Sequence, residues 1–188
     1  MLDKKIIKIA LIGTHRTGKT TQAYDLIAQL RKNDLDAEIL KEVARDCPYP
    51  VNEEATEEAQ KWIIFTQMTR EIELKRQIEI NTKNQGALKC NAIVGDRSAL
   101  DSLIYYKNLF GDNKHLEGVV LEHLKSYDFL FRMPLNPEYF RADGFASLNP
   151  KFYHDINNLM DKVLKEKQIS YHNFVDMKTS LDIILSKK

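Results

Sequence analysis

Apolar residues along the chain follow two alternating patterns, short continuous runs and longer stretches with helical spacing. Residues 6–12 form a mostly apolar, β-branched run that is typical of a buried strand. Residues 20–32 then carry apolar side chains at positions 23, 26, 27 and 30, which is the spacing of an amphipathic helix. The same alternation continues along the chain. It predicts further strands at 37–43, 91–95, 127–131 and 169–175, and further helices at 55–83, 98–110, 114–125, 150–167 and 177–185.

This order of elements predicts an α/β fold with a five-stranded parallel sheet that helices cover on both faces. We see no internal repeat, and 188 residues suit one domain, 1–188, with a substantial core. The segment 133–149 is rich in Pro, Asn and Gly and is long for a structureless connection. We therefore expect a lid loop there.

Composition narrows the possible partners. The net charge is +1, from 28 basic and 27 acidic residues, which makes duplex nucleic acid an improbable partner without excluding a polynucleotide substrate. The two cysteines, Cys47 and Cys90, have no metal-ligand spacing, so neither a disulfide framework nor a zinc site is expected. Without an apolar run of membrane-spanning length or a signal-peptide pattern, we expect a cytoplasmic protein.

Residues 13–20 read G-T-H-R-T-G-K-T and fit the phosphate-loop NTPase (P-loop, or Walker A) pattern G-x-x-x-x-G-K-[ST]. The motif lies between a predicted strand and a predicted helix, whose N-terminus adds N–H donors and a positive dipole end for phosphates. Lys19 brings charge to the β- and γ-phosphates, and the Thr20 hydroxyl can ligate Mg²⁺. We predict binding of ATP and Mg²⁺, since no guanine-reading N-K-x-D string occurs. The predicted nucleotide-binding residues are Gly13, Thr14, His15, Arg16, Thr17, Gly18, Lys19, Thr20 and Thr21. We assign His15 only its backbone and leave open whether its ring faces phosphate or solvent.

A second polar cluster, Gly95-Asp96-Arg97-Ser98, ends the third predicted strand. Ligands of open α/β sheets bind at the carboxyl ends of strands, so Asp96 and Arg97 should face the phosphate site. Asp96 is then a candidate Mg²⁺ ligand together with Thr20. Motor or switch ATPases usually place a water-activating Glu after this Asp, whereas Arg97 suits an anionic group. The pair therefore favours a transferase over a hydrolase.

Taken together, these segments resemble the nucleoside and nucleotide kinase group of P-loop proteins. They are most similar to small AAA-type domains related to the ribosylnicotinamide kinase domain of a bacterial NAD-biosynthesis protein. Thymidylate and deoxynucleoside kinases share the loop and an acidic residue followed by Arg at the strand end. The matching segments cover most of the chain in the family's order, and they are residues 13–20, E-V-A-R at 42–45, a long helix with Gln67 and Glu71, D-R-S-A-L-D-S-L-I-Y at 96–105, and Y-F-R-A-D-G-F at 139–145.

The resemblance implies transfer of the γ-phosphoryl group of ATP to a small acceptor, and frequent homodimers. Catalytic roles are implied for Lys19, Glu42, Asp96, Arg97 and Arg141. We expect Glu42 at the end of the second strand, beside the first strand, where deoxynucleoside kinases have a carboxylate that takes the acceptor's proton. Asp96 is the rival base, and only geometry can decide between them.

The lid departs from the family pattern, which often runs Asp-Gly-x-Arg, because Ala146 follows Phe145 here. We therefore expect either Arg141 or Arg132 to supply the lid charge, or a smaller contribution from this lid to the transition state.

Acceptor binding is predicted at Arg45, Arg97 and Gln67. Arg45 and Arg97 are candidate clamps on a phosphate, and Gln67 could bind the edge of a heterocycle, although core packing is the alternative for that helix. Further along it, charged residues including Glu71 are expected to form a solvated face. A nucleotide-binding ATPase or switch that acts through a partner, or a polynucleotide 5'-end kinase, stays open as an alternative function. Surface or ordinary packing positions are expected for His115, His123, His154 and His172.

Overall fold

A single five-stranded sheet organises the computed structural model, which describes residues 6–85, 90–136 and 145–187. All paired strands are parallel, and their order across the sheet is β2-β3-β1-β4-β5. The predicted five-stranded parallel α/β sheet is thus confirmed. The strands are β1 (Ile7–Ile12), β2 (Asp36–Leu40), β3 (Cys90–Asp96), β4 (Phe129–Arg132) and β5 (His172–Asn173).

The helices cover both faces of the sheet, as predicted. Strand β1 shows why its sequence is almost continuously apolar: Ala10 and Ile12 belong to one buried cluster, Ile9 and Leu11 to the other. Successive side chains of a strand point to opposite faces, so a central strand needs apolar residues at every position. The helices are α1 (Lys19–Lys32), α2 (Glu57–Gln85), α3 (Ala99–Phe110), α4 (Lys114–Leu124), α5 (Pro150–Glu166) and α6 (Met177–Leu185), and two short 3₁₀ turns span Val43–Asp46 and Asn52–Glu54.

Two strand predictions were wrong in position or length. β2 ends at Leu40, and Glu42 instead directly precedes the 3₁₀ turn Val43–Asp46. β3 pairs with both β1 and β2, so the second strand does not lie beside the first. β5 has only two residues, His172 and Asn173, which pair with Phe131 and Arg132 at the end of the short strand β4.

The helix boundaries follow the predicted ones closely at α3, α5 and α6. Ser98 caps α3 and Asn149 caps α5, each through a side-chain oxygen that accepts a backbone N–H. Of the predicted lid, residues 133–136 and 145–149 are described and carry no helix or strand, while 137–144 lie outside the described residues. Among the helices that the structure describes, none combines the length and the apolarity needed to cross a membrane.

Candidate active site

A cavity of about 310 Å³ opens where β2 and β3 end, beside the glycine loop that follows β1. One wall is the loop itself, from His15 to Thr21. The opposite wall is formed by residues from the segment after β2, from α2, from the end of β3 with α3, and from position 145. These are Glu42, Arg45, Asn52, Gln60, Ile63, Asp96, Arg97, Asp101, Tyr105 and Phe145.

The glycine loop has the geometry of a phosphate cradle. Gly13 has φ +148°, and a Cβ there would lie 2.7 Å from Arg132 Nη1, so no larger residue fits without displacement. Gly18 adopts the left-handed conformation (φ 77°) directly before α1, whose N-terminus points its amides at the loop. Both glycines of the predicted motif are therefore required by the backbone.

Lys19 is buried within this loop, 4% exposed. Its ammonium donates hydrogen bonds to the Gly13 carbonyl at 2.9 Å, to the Thr14 carbonyl, and to Thr17 Oγ1 at 3.1 Å. Burial, reinforced by the positive charge of Arg97, lowers the pKa of Lys19 to about 7. Such a lysine gains most from an anion in the loop, because the anion restores the compensation that water would give.

Asp96 and Thr20 meet at the floor of the cavity. Thr20 Oγ1 donates a hydrogen bond of 2.6 Å to Asp96 Oδ2. Burial raises the pKa of Asp96, and the Thr20 hydroxyl and nearby Arg97 and Lys19 offset this only in part. Within the described ranges no cluster of three His, Cys, Asp or Glu side chains could hold a metal alone. One carboxylate and one hydroxyl fit Mg²⁺, which usually completes its shell with phosphate oxygens and water.

Glu42 joins two arginines across the cavity from the loop. It is 6% exposed and accepts hydrogen bonds from Arg97 Nε at 2.6 Å and from Arg45 Nε at 2.9 Å. Burial favours a raised pKa for Glu42, but the charges of Arg97, Lys19 and Arg45 outweigh it and the net shift is downward. Glu42 is therefore ionised at neutral pH.

Arg97 is the centre of this charged cluster. Its backbone has φ +84°, a region that non-glycine residues rarely adopt, and its N–H donates to the Leu11 carbonyl at 3.1 Å. Its Nη1 lies 3.4 Å from the Gly13 carbonyl and 3.9 Å from Asp101 Oδ1. Burial alone would lower the pKa of Arg97, but Glu42 and the other anionic neighbours raise it above the usual arginine range. The guanidinium thus stays charged between the loop and Glu42.

Asp101 is a site residue to which we assigned no role from the sequence. It is fully buried, and its Oδ1 accepts the Gly13 N–H at 2.8 Å while its Oδ2 accepts the Ser98 N–H at 2.8 Å. The signal was present in the sequence, since Ser98-x-x-Asp101 fits a capping box. What no local pattern could reveal is that the same carboxylate also holds the start of the glycine loop.

His15 corrects our expectation that its ring faces phosphate or solvent. It is 1% exposed, and its Nδ1 lies 2.8 Å from the Tyr105 hydroxyl. Its ring stacks near Phe152 and meets Tyr153 edge to face. The side chain therefore anchors the loop to α3 and α5.

The structure places two residues of α2, Gln67 and Glu71, differently from the prediction. Gln67 does not line the cavity; its amide donates to Glu71 Oε1 at 2.7 Å and lies 3.5 Å from the Arg97 carbonyl. Glu71 is 3% exposed rather than solvated. Gln60 lies two turns before Gln67 and lines the cavity, so it is the glutamine of α2 that borders the site.

Of the two arginines predicted to supply the lid charge, only Arg132 lies among the described residues. Arg132 does not line the cavity, because its guanidinium is held by Asp161 Oδ1 at 2.9 Å, the Met133 carbonyl at 2.7 Å and Asn157. It therefore cannot supply the lid charge in this arrangement. Arg141 lies outside the described residues, and its role stays a prediction.

Comparison with known proteins identifies the family. A model of the AAA domain matches residues 8–181. The chain belongs to this AAA-domain family. Among curated proteins, none matches the sequence of the chain.

Among the solved structures similar to this AAA domain are two kinases and the NadR protein. The thymidylate kinase of Ehrlichia chaffeensis is 14% identical with a TM-score of 0.65, over 96% of this chain and 99% of that chain. The deoxyadenosine kinase of M. mycoides with bound dATP is 18% identical with a TM-score of 0.58, over 96% and 98%. The NadR protein in complex with NR is 17% identical with a TM-score of 0.69. This match covers 95% of the AAA domain but only 50% of the NadR chain. The predicted P-loop fold and the kinship with small AAA-type domains are confirmed.

Proposed function

We propose that this AAA domain is a small-molecule kinase that transfers the γ-phosphoryl group of ATP, with Mg²⁺, to a nucleoside, a nucleotide or a related metabolite. The observation that carries the proposal is the shared cavity. One wall is a phosphate-binding loop and the other presents Glu42, Arg97 and Arg45. A phosphoryl donor and its acceptor must lie in line, and this cavity brings the groups for both together.

The donor wall fits a magnesium nucleotide. Lys19 and the loop amides are proposed to hold the β- and γ-phosphates, and Thr20 with Asp96 to hold the metal, whose charge would neutralise the phosphate oxygens. Asp96 accepts a hydrogen bond from Thr20, the other proposed metal ligand. It is therefore better placed to bind the metal than to take the acceptor's proton. This supports Asp96 as a metal ligand.

The acceptor wall fits a hydroxyl or phosphate group that meets the γ-phosphorus. We propose that the acceptor oxygen bonds to that phosphorus as the bond to the β–γ bridging oxygen breaks, which leaves ADP. Glu42, which is ionised, takes the proton of an acceptor hydroxyl, and Arg97 stabilises the charge on the group in transfer. Arg45 is 47% exposed and is the candidate clamp on an acceptor that already carries a phosphate.

The kinase fold of the similar structures supports this proposal. One of them is a deoxyadenosine kinase and another a thymidylate kinase, so nucleosides and nucleoside monophosphates are the first acceptors to test. We also propose a cytoplasmic location, where ATP is supplied. A homodimer stays a prediction.

The test is release of ADP from Mg·ATP with a panel of nucleosides, nucleoside monophosphates and nicotinamide riboside. Strong stimulation by one acceptor is expected, with Lys19→Ala as the blank. Glu42→Gln should lower kcat by about 10²-fold or more if Glu42 takes the proton. Arg76→Met, an exposed substitution on α2, serves as the control that leaves turnover unchanged. Slow ADP release that no acceptor stimulates would contradict a kinase and favour an ATPase or switch.

A further inference from the structure

Three consecutive residues, Phe145, Ala146 and Ser147, form a strap beside the cavity, which Phe145 and Ala146 line. Each of their backbone carbonyls accepts a hydrogen bond from a side chain elsewhere in the chain. Asn52 Nδ2 donates to the Phe145 carbonyl at 2.7 Å, and Arg16 donates to Ala146 at 2.6 Å and to Ser147 at 2.8 Å. The strap is therefore held by side chains rather than by a helix or strand.

Arg16, which holds two of these carbonyls, belongs to the phosphate-binding loop. Its backbone has φ +57°, so the course of the loop itself aims the side chain at the strap. The planar guanidinium uses Nε and Nη2 on two successive carbonyls, a geometry that a single ammonium cannot reproduce. The loop and the strap are thus joined directly.

Phe145, the first residue of the strap, lies on the acceptor wall of the cavity. Its ring lines the cavity, and the Arg45 guanidinium lies 4.7 Å from the ring centroid. An aromatic ring beside a cation, in a cavity that Gln60 also lines, suits a flat heterocycle, which can stack on one side and hydrogen-bond at its edge. Phe145 is therefore placed as part of the acceptor wall.

We propose that Arg16 is a positioning residue that couples the two halves of the site. A nucleotide in the loop fixes the backbone of Arg16, Arg16 fixes the strap, and the strap holds Phe145 against a flat heterocyclic acceptor. This inference rests on the proposed function and deepens it, because it names the acceptor class and predicts that donor binding strengthens acceptor binding.

The first test reads the strap with a single tryptophan. Trp62 is the only tryptophan of the chain, so the double variant Trp62→Phe with Phe145→Trp reports on position 145 alone. Mg·ADP should lower the quenching of this reporter by acrylamide. Arg16→Met should raise quenching roughly twofold without nucleotide and remove the response to Mg·ADP, because the strap is then no longer joined to the phosphate-binding loop.

Matched variants separate this role from general loss of structure. Arg16→Lys keeps the charge but places its donors on one nitrogen, without the planar fork that spans both carbonyls, and should give intermediate quenching. Asn52→Ala loosens the strap from its other side, so quenching should rise while the response to Mg·ADP persists. Arg76→Met should behave like the parent. The coupling would be overturned in two cases. One is that Mg·ADP does not change the quenching of the Trp62→Phe, Phe145→Trp protein. The other is that adding Arg16→Met to that protein leaves its response to Mg·ADP unchanged.

Kinetics with the acceptor that stimulates ADP release most gives a second readout. Arg16→Met should raise the KM for that acceptor at least about fivefold with a smaller change in kcat. A fall in kcat at unchanged acceptor KM would instead place the guanidinium on the transferring phosphoryl group and refute the strap role. The tryptophan test needs no acceptor, so its failure and the failure of the kinase proposal are distinguishable.

Discussion

Burial away from water shifts the pKa values of single residues in the site. Lys19 shows this most clearly, because burial places its pKa near 7 instead of the ordinary 10.5. Bound phosphates favour the ammonium form, so the pKa of Lys19 must rise when a nucleotide binds. Above pH 7 the free protein lacks the proton that the complex carries, and binding takes one up.

This predicts the sign of a pH effect. Affinity for Mg·ADP should fall by up to about tenfold per unit from about pH 7.5 to 8.5, where the nucleotide phosphates are fully ionised. Calorimetry in buffers of different ionisation enthalpy should show proton uptake in that range. Without nucleotide, this depressed pKa costs the folded state stability as the pH falls from 10.5 toward 7. Affinity that is constant across the range would contradict the low pKa.

Replacing glycine by alanine should change the free energy of unfolding in opposite directions at Gly13 and at Gly118. Gly13→Ala should destabilise the protein by about 2–4 kcal/mol, since φ is +148° and the new Cβ would meet an arginine that is itself held in place. Gly118→Ala, on α4 with no atom within 4 Å, should stabilise by about 0.5–1 kcal/mol. Urea unfolding measures both, and equal effects would refute the steric argument.

At the scale of elements, α3 is tied to the glycine loop by its own N-terminal cap. Asp101 satisfies the Ser98 amide and hydroxyl and also the Gly13 amide. Asp101→Ala should therefore cost about 2–4 kcal/mol and weaken Mg·ADP binding. Asp176→Ala removes the cap of α6 far from the loop and should cost only about 1 kcal/mol. Thermal shifts with and without Mg·ADP separate the two, and a normal nucleotide shift in Asp101→Ala would exclude the dual role.

The elements and the donor wall could be predicted from the sequence because their signals are local. Strand, glycine loop and helix are adjacent in the chain, and Asp96-Arg97 directly ends β3. The charged residues of the acceptor wall, Glu42, Arg45 and Arg97, were also predicted, but Phe145 and Asn52 were not, since they meet only through the tertiary fold. Helical periodicity groups Gln60 and Gln67 on one face but does not tell which of them borders the cavity.

The strand order was equally invisible, because β2 and β3 are joined through the long α2 and nothing in their composition states which one lies beside β1. The expected position of Glu42 was affected by this. Its place in the site comes instead from the 3₁₀ turn after β2, which carries the side chain over the end of β3 toward Arg97.

At the scale of the whole molecule, a buried charged network fastens α2 to the sheet on the side away from the cavity. Glu71 accepts hydrogen bonds from Gln67 at 2.7 Å and from the Tyr127 hydroxyl, and pairs with Lys8 Nζ at 2.5 Å and with His123 Nε2 at 2.6 Å. Burial lowers the pKa of Lys8 although Glu71 opposes this. Glu71 is therefore the main counter-charge of the buried Lys8.

Removing one partner should thus cost more than removing both. Glu71→Ala is expected to destabilise by about 3–5 kcal/mol, since Lys8 stays buried without its counter-ion, whereas exposed Glu73→Ala should change stability by less than about 0.5 kcal/mol. Lys8→Met with Glu71→Leu should recover most of the loss. Burial favours a raised pKa for Glu71, but His123 and Lys8 turn the net shift downward. The stabilisation is thus present above the unfolded pKa and lost as the pH falls through the folded one. The gap between the parent and Glu71→Ala should narrow in acid, and urea titrations at several pH values would refute the pairing if that gap stayed constant.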